Sequence, residues 1–216
     1  MSRIIIFGAG GRAGRRAVAE AVARGHSVTA VVRDPARYQE LATSGADLVA
    51  GDATDADTVA ALAAGHDAAI SAVARMDLPS SEFYVAATEA LLDGLGRALV
   101  GRMLVIGIGT LLETEPGVRV LDAPGFPAEA GEFSLGHAAE LEVLRGADTD
   151  VDWLMLAPPP VVLDEVAERT GEYRIGGSAV LADAAGARQF SYADLAAALI
   201  DEVERPKHSR ELVAVG

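Results

Sequence analysis

The stretch "IIIFGAGGRAG", residues 4–14, decides the fold of this chain. It opens on an apolar run, Ile4 to Phe7, and four of the next seven residues are glycine. Glycine lets a backbone turn tightly and come close to a ligand. The alanine-rich residues 11–24 that follow have helical spacing. The stretch therefore predicts a strand, a tight loop and a helix whose N-terminus binds an anion, because its first N–H groups lack partners.

The glycine spacing narrows the kind of anion. The loop fits two dinucleotide-binding patterns, Gly8-x-Gly10-x-x-Ala13 and Gly8-x-x-Gly11-x-x-Gly14, and both place a pyrophosphate at the helix N-terminus. A Walker loop is excluded because no Gly-Lys-Ser/Thr follows. The alternative is a glycine-rich turn that holds no ligand. The cofactor contacts predicted from this loop are Gly8, Gly10, Gly11, Arg12, Ala13 and Gly14.

Apolar runs alternate with helical spacing along the rest of the chain. Continuous apolar strands are typical of a parallel sheet that is covered by helices on both faces. We therefore predict one α/β domain over residues 1–216, a doubly wound parallel sheet of the Rossmann NAD(P)-binding type with a small substrate-side region. The predicted strands are 4–7, 28–32, 47–50, 68–73, 103–108 and 153–156, and the predicted helices are 11–24, 35–43, 55–64, 80–98, 135–146 and 191–204.

Two segments that break this regularity, 110–134 and 158–186, are predicted to be long loops. Each leaves the carboxyl end of a predicted strand, which is where ligands bind in doubly wound sheets. We therefore expect these two loops to form the substrate side of the cleft.

The end of the second strand predicts which dinucleotide is bound. An acidic residue there would bind the ribose 2′-hydroxyl of NAD, and a basic one the 2′-phosphate of NADP. This chain has Arg33, and the adjacent Asp34 precedes Pro35 as a helix N-cap would. Arg12 could flank the same phosphate. The alternative is that both arginines are solvated surface charges. We expect NADP as the cofactor, with NAD the less favoured choice.

Composition excludes several classes of function. A net charge of -14 repels nucleic acid and anionic membrane surfaces. The absence of cysteine removes disulfides, thiolate metal sites and thiol catalysis, and no His, Asp and Glu grouping has metal-ligand spacing. With no signal segment and no apolar run of about 18 residues, we expect a cytoplasmic protein that binds neither membrane nor metal.

Six motifs extend over nearly the whole chain: "IIIFGAGGRAG", "VVRDPAR", "GDATD", "VIGIGTL", "VDWLMLAPPP" and "RTGEYRIGG…FSYADLAAALIDEVERPKH". Through them the sequence resembles the atypical short-chain dehydrogenase/reductases, which include NmrA-like proteins, biliverdin-IXβ reductase and the small bacterial NADH-flavin reductases. The resemblance implies that Asp52 and Ala53 contact the adenine and that Ser71, Ala72 and Val73 lie near the ribose and phosphates. Gly109, Thr110 and Pro158 would lie beside the nicotinamide. Turn formation and sheet packing are the competing explanations for these residues.

The candidate catalytic residues are Thr110 and His137. Conventional short-chain dehydrogenases use a Tyr-x-x-x-Lys helix for proton transfer. None of the four tyrosines here has a lysine four residues on, and Phe133-x-x-x-His137 only imitates the spacing. His137 could donate a proton if it faced the cleft, but it could also be merely exposed. His26, His66 and His208 are expected to be structural.

Two function classes remain open. One is a reductase that passes hydride from NADPH to a flat small-molecule acceptor such as a flavin or quinone, which needs little acid catalysis. The other is an NmrA-like redox sensor that binds NADP without chemistry. A sugar-nucleotide epimerase is disfavoured because it needs the absent tyrosine-lysine pair. A homodimer is compatible with the sequence.

Overall fold

A computed structural model of the chain describes residues 1–181 and 190–216. Its strands are β1 (Arg3–Phe7), β2 (Ser27–Val32), β3 (Asp47–Ala50), β4 (Ala68–Ser71), β5 (Arg102–Ile106), β6 (Glu113–Glu115), β7 (Val118–Arg119), β8 (Asp152–Ala157) and β9 (Glu211–Ala214). Its α-helices are α1 (Arg12–Ala23), α2 (Gln39–Thr43), α3 (Ala56–Ala63), α4 (Ser80–Arg97), α5 (Ala128–Gly146) and α6 (Tyr192–Glu204).

The described residues form a seven-stranded sheet in the order β3-β2-β1-β4-β5-β8-β9. All its neighbouring strands are parallel. One face is packed against α1, α2 and α6, and the other against α3, α4 and α5, so the strands between them are apolar throughout. This is the predicted doubly wound Rossmann-type fold, and the order of strands reverses between β1 and β4.

Several predicted boundaries were wrong for local reasons. Residues 35–43 form a 3-10 turn, Pro35–Arg37, followed by the short helix α2, because Tyr38 between them has non-helical φ and ψ of -137° and 35°. The helix predicted over 135–146 begins at Ala128, directly after Pro127. Proline fits just before a helix, where its missing N–H is not needed, so it marks a helix start here and not a loop.

The two predicted loops differ from each other. Residues 110–134 contain the β6–β7 hairpin and the first turns of α5, so much of this segment is regular. Residues 158–181 are irregular apart from isolated bridges, and the end of the predicted segment 158–186 lies outside the described residues. As predicted, the two segments leave the carboxyl ends of β5 and β8. The single-domain organisation stays a prediction.

The sequence analysis missed strand β9 at one end of the sheet. It pairs with β8 on one side, and residues 174–177 lie along its other side. There the Gly176 N–H donates to the Ala214 carbonyl at 2.9 Å, and the Arg174 N–H donates to the Gly216 carbonyl at 2.8 Å. The carboxyl end of β9 and the two residues after it are therefore hydrogen-bonded on their outer side as well.

Within residues 1–181 and 190–216, no helix has both the length and the apolar character needed to span a membrane.

Candidate functional site

Close backbone contacts fix the shape of the glycine loop between β1 and α1. Gly8 has a φ of 75°, and a side-chain carbon at this position would lie 2.4 Å from the Ala72 carbonyl oxygen at the end of β4. A side-chain carbon at Gly14 would lie 2.3 Å from the Gly8 carbonyl oxygen. Side chains at these two positions would force apart the loop, α1 and β4. The glycines therefore hold the N-terminus of α1 close to the sheet.

The N-terminus of α1 has the properties of an anion site. Gly11 is its N-cap, and among the described residues no side chain caps it. The N–H groups of the first helical turn have no acceptor within the helix. The first turn contains no acidic residue to offset the positive end of the helix dipole. Gly11 itself has more room, since its side-chain carbon would lie 3.4 Å from the Gly8 carbonyl oxygen.

A cleft of about 410 Å³ opens at the carboxyl ends of β1 to β4. Eight residues predicted to contact a cofactor line it: Gly8, Gly10, Gly11, Arg33, Asp52, Ala53, Ala72 and Val73. The sequence analysis did not single out other residues of its lining, which include Arg37, Tyr38, Ala74, Arg75 and Phe83. Ligands of open α/β sheets bind at this place, beside the reversal of strand order.

Two arginines give this cleft a positive region beyond β2. Within the described parts of the chain, neither Arg33 nor Arg37 makes a side-chain hydrogen bond or ion pair. Asp34 does not neutralise them by contact, because its carboxylate accepts from the Ala36 N–H at 3.1 Å as the predicted N-cap. Both guanidinium groups are therefore available to an anionic ligand.

A third arginine of the cleft, Arg75, is already paired with Asp77. Its Nη2 lies 2.5 Å from an oxygen of that carboxylate. The pKa of Asp77 is lowered to about 2, chiefly by this hydrogen bond, with a smaller effect of the Arg33 charge. Arg75 is therefore a weaker candidate for binding an anion than Arg33 or Arg37.

Asp52 follows β3, and one of its two carboxylate oxygens already accepts hydrogen bonds within the protein. Its Oδ1 accepts from the Thr54 N–H at 2.9 Å and from the Thr54 hydroxyl at 2.8 Å. This is an Asx-type turn, which the sequence analysis held open as the competing role. The second oxygen, Oδ2, is the atom of this side chain that could accept from an adenine amino group.

Arg12 lies at the start of α1 but is not part of the cleft lining. Its guanidinium makes an ion pair with Glu165, which follows β8, at 2.8 Å. Arg12 therefore ties α1 to the segment after β8.

Beyond the carboxyl ends of β4, β5 and β8, small residues allow neighbouring segments to approach each other. A side-chain carbon at Gly109 would lie 2.5 Å from the Pro158 carbonyl oxygen, so the chain after β5 is packed against the proline run after β8. Ser71 is buried at the end of β4. The Thr110 hydroxyl donates to the hydroxyl of Ser134, a buried α5 residue that the sequence analysis missed, at 3.0 Å.

His137 lies on the same helix, one turn after Ser134, and only 3% of its surface is exposed. Its Nδ1 lies 2.7 Å from an oxygen of the buried Glu140. Its ring lies against that of Tyr84, with centroids 4.1 Å apart. Burial, and next the Glu140 charge, raise the pKa of Tyr84, so this phenol stays protonated at neutral pH. His137 is neither an exposed surface residue nor part of the cleft lining. The i, i+3 spacing to Glu140 was the sequence signal for this pair.

The other histidines lie outside the cleft lining. His26 accepts from the Ser2 N–H, and His66 is hydrogen-bonded to the Thr29 hydroxyl at 2.8 Å. Desolvation by burial lowers the pKa of His66. His208 contacts the buried Glu202 at 2.8 Å.

Tyr38 is the feature of the cleft that the sequence least indicated. A side-chain carbon at Gly10 would lie 2.5 Å from the Tyr38 ring, so this ring lies directly over the glycine loop. The Arg15 guanidinium stacks 5.5 Å from the ring centroid and donates to the Gly10 carbonyl at 2.8 Å. The Tyr38 ring therefore leaves no room for a side chain at position 10, whether or not a ligand is bound.

This contact predicts that Gly10→Ala lowers the free energy of unfolding by about 1–3 kcal/mol, the usual cost of overpacking. In a Tyr38→Ala background the same change is expected to cost much less, because the obstructing ring is gone. Urea unfolding of the four proteins of this cycle measures the coupling. Gly131→Ala is the control, since among the described residues no atom beyond its own helix lies within 4 Å of the added carbon. Equal costs of Gly10→Ala in both backgrounds would contradict the contact.

Comparison with known proteins identifies the family of the chain. Residues 8–206 match the model of a family described as NAD(P)H-binding. The chain is 34% identical to YwnB of Bacillus subtilis over 218 residues, which cover 99% of this chain and 97% of that protein. A solved structure from Burkholderia pseudomallei, provisionally described as an exported protein, is 33% identical, with 100% of both chains covered and a TM-score of 0.87. Another from Streptococcus pneumoniae, provisionally named a NADH-flavin reductase, is 29% identical, with 100% of this chain and 99% of that chain covered and a TM-score of 0.85. The chain therefore belongs to the NAD(P)H-binding family.

Proposed function

We propose that this protein is an NADPH-dependent reductase of a flat, ring-shaped acceptor such as a flavin or quinone. The observation that carries the choice of NADP over NAD is the pair Arg33 and Arg37, two guanidinium groups that line the cleft and have no side-chain partner within the described residues. A 2′-phosphate would supply the missing negative charge. NADH would leave both arginines without a ligand.

The other predicted contacts suggest an orientation for the bound cofactor. The uncapped first turn of α1 would hold the pyrophosphate, and Asp52 and Ala53 would border the adenine. The small residues Ser71, Ala72 and Val73 would lie near the ribose and phosphates, and Gly109, Thr110 and Pro158 would lie beside the nicotinamide. This direction puts the nicotinamide, which supplies hydride when bound, beside α5.

The residues near this end favour positioning over acid–base catalysis. Thr110 and Ser134 offer hydroxyl groups that are bonded to each other. The buried Tyr84 keeps its proton, and His137 is paired with Glu140. A reductase of flavins or quinones is compatible with this set, because holding two rings face to face is its main requirement and the acceptor can take its proton from water. The name of the Streptococcus pneumoniae relative favours the same reaction class.

The alternative is a redox sensor that binds NADP without turnover. The burial of His137 and Tyr84, which removes two proton donors from solvent, favours it. NADPH oxidation by the purified protein with flavins, quinones and aldehydes separates the two. We expect oxidation with a flavin or quinone well above the rate in buffer. Tight NADPH binding without oxidation by any acceptor would replace the reductase with the sensor.

Thr110→Val is expected to lower kcat only modestly, by about tenfold or less, because a lone proton donor contributes at most about 10²–10⁴-fold and the acceptor has water available. Steady-state kinetics with the best acceptor measures this effect. Thr114→Val, an equivalent change in the exposed β6–β7 hairpin, is the control. Complete loss of turnover in Thr110→Val alone would show that the hydroxyl is an essential acid.

The cytoplasmic location and the homodimer remain predictions. Cell fractionation and the mass of the protein in solution test them.

A further inference from the structure

Three segments that follow strands converge on the first half of α5. The Ser80 N–H, at the start of α4, faces the Glu132 carboxylate at 3.4 Å, and a side-chain carbon at Gly136 would lie 2.7 Å from the Ser80 side chain. Thr110 is bonded to Ser134, and the chain beside it is packed against the proline run after β8. We call this region the acceptor end, residues 72–80, 107–112, 128–137 and 158–163.

The surface of the acceptor end is unusually apolar. Nine large apolar side chains are exposed in the described residues, and five of them lie here: Met76, Leu78, Leu135, Val161 and Val162. Met76 is 84% exposed and Val162 77%. Single exposed apolar residues need no explanation. None of these five lines the cleft itself, but their concentration in segments that contact one another indicates a surface that binds an apolar ligand.

The charges of the acceptor end do not favour an anion. Arg75 is paired with Asp77, and Arg12 at the border is paired with Glu165. Glu129, in the first turn of α5, offsets the positive end of that helix dipole, and Glu132 adds a second carboxylate. Arg33 and Arg37, which have no side-chain partner among the described residues, follow β2, and the charge of Arg33 reaches Asp77. The other three segments of the acceptor end, 107–112, 128–137 and 158–163, contain no lysine or arginine, so they offer an acceptor no positive charge.

We infer that the acceptor is an uncharged apolar ring system. A phosphate group on the acceptor is then expected to lower kcat/KM for its reduction. This inference rests on the proposed function and narrows its substrate class. Riboflavin or a quinone should be reduced in preference to FMN, which differs from riboflavin by one phosphate. Repulsion by the acidic surface and the cost of bringing a phosphate to apolar side chains act in the same direction.

The test compares kcat/KM for riboflavin and for FMN with saturating NADPH. We expect riboflavin to be favoured about tenfold or more at low salt and the ratio to shrink as salt screens the repulsion. Equal use of the two flavins, or preference for FMN, overturns the inference and leaves the reductase intact. If no flavin and no quinone supports NADPH oxidation, both this inference and the proposed reductase function are overturned.

A charge placed on the acceptor end sharpens the test. Val161→Arg adds a cation at a position that is 51% exposed, and we expect it to raise the ratio of kcat/KM for FMN to that for riboflavin about threefold to tenfold. Leu99→Arg is the matched control, because Leu99 is 90% exposed and precedes the amino end of β5, opposite the acceptor end. If the two variants change the FMN to riboflavin ratio equally, the charge of the acceptor end does not select the acceptor.

Discussion

Gly14→Val is expected to remove measurable cofactor binding. The first added carbon would lie 2.3 Å from the Gly8 carbonyl oxygen, a distance at which the loop and α1 must separate. The N–H groups of the first turn of α1 would then move away from the position of the pyrophosphate. Each charge-assisted hydrogen bond contributes about 1.5–3 kcal/mol, so losing two weakens binding by about 10²–10⁴-fold.

Isothermal calorimetry with NADPH measures this loss, and circular dichroism shows whether the variant is folded. Gly14→Ala is the milder second variant, since it adds only the first carbon and is still expected to weaken binding strongly. The control is Gly96→Ala in α4, where no atom lies within 4 Å of the added carbon. Replacing a helical glycine there should raise stability by about 0.5–1 kcal/mol and leave binding unchanged. Near-native NADPH affinity in a folded Gly14→Val protein would disprove the proposed pyrophosphate site.

Removing the charge of Arg33 is expected to abolish most of the preference for NADPH over NADH. With a charge-assisted contact contributing about 1.5–3 kcal/mol, the native preference should be about ten- to hundred-fold. Arg33→Ala should lose it through weaker NADPH binding while NADH binding stays nearly constant. Arg37→Ala should act in the same direction, because the two side chains line the same part of the cleft.

Calorimetric dissociation constants for both cofactors, in the native protein and each variant, test this expectation. Arg97→Ala removes the same charge outside the cleft, where the guanidinium is paired with Asp57 and Asp93, and should leave both constants unchanged. Equal affinities of the native protein for NADPH and NADH would refute the assignment of NADP. A parallel loss of both affinities in Arg33→Ala would indicate a role in shaping the cleft.

Local patterns predicted most of the sheet. The apolar run before the glycine loop and the spacing after it identify β1 and α1, because both depend on residues that are close in sequence. The position of Arg33 in the cleft was predictable for the same reason, since a βαβ unit fixes where its second strand ends. Asp34 was correctly predicted to cap the turn after β2.

Contacts between distant segments could not be predicted in this way. Tyr38 lies over Gly10 only because the chain turns at Pro35–Arg37 and breaks before α2, and no local pattern encodes that path. The pairing of Arg12 with Glu165 joins residues far apart in sequence. β9, by contrast, could have been predicted, because residues 212–215 form an apolar run like those that identified the other strands.

The hydrogen-bonded outer side of β9 has a consequence for how copies of this protein can associate. Free strand edges are templates on which a second chain can add a strand, and this is a common route to aggregation. At β9 an incoming strand would first have to displace residues 174–177 and break the backbone hydrogen bonds they make to Ala214 and Gly216. Continuing the sheet from one copy into the next is therefore disfavoured at residues 214–216, where those bonds would have to break first.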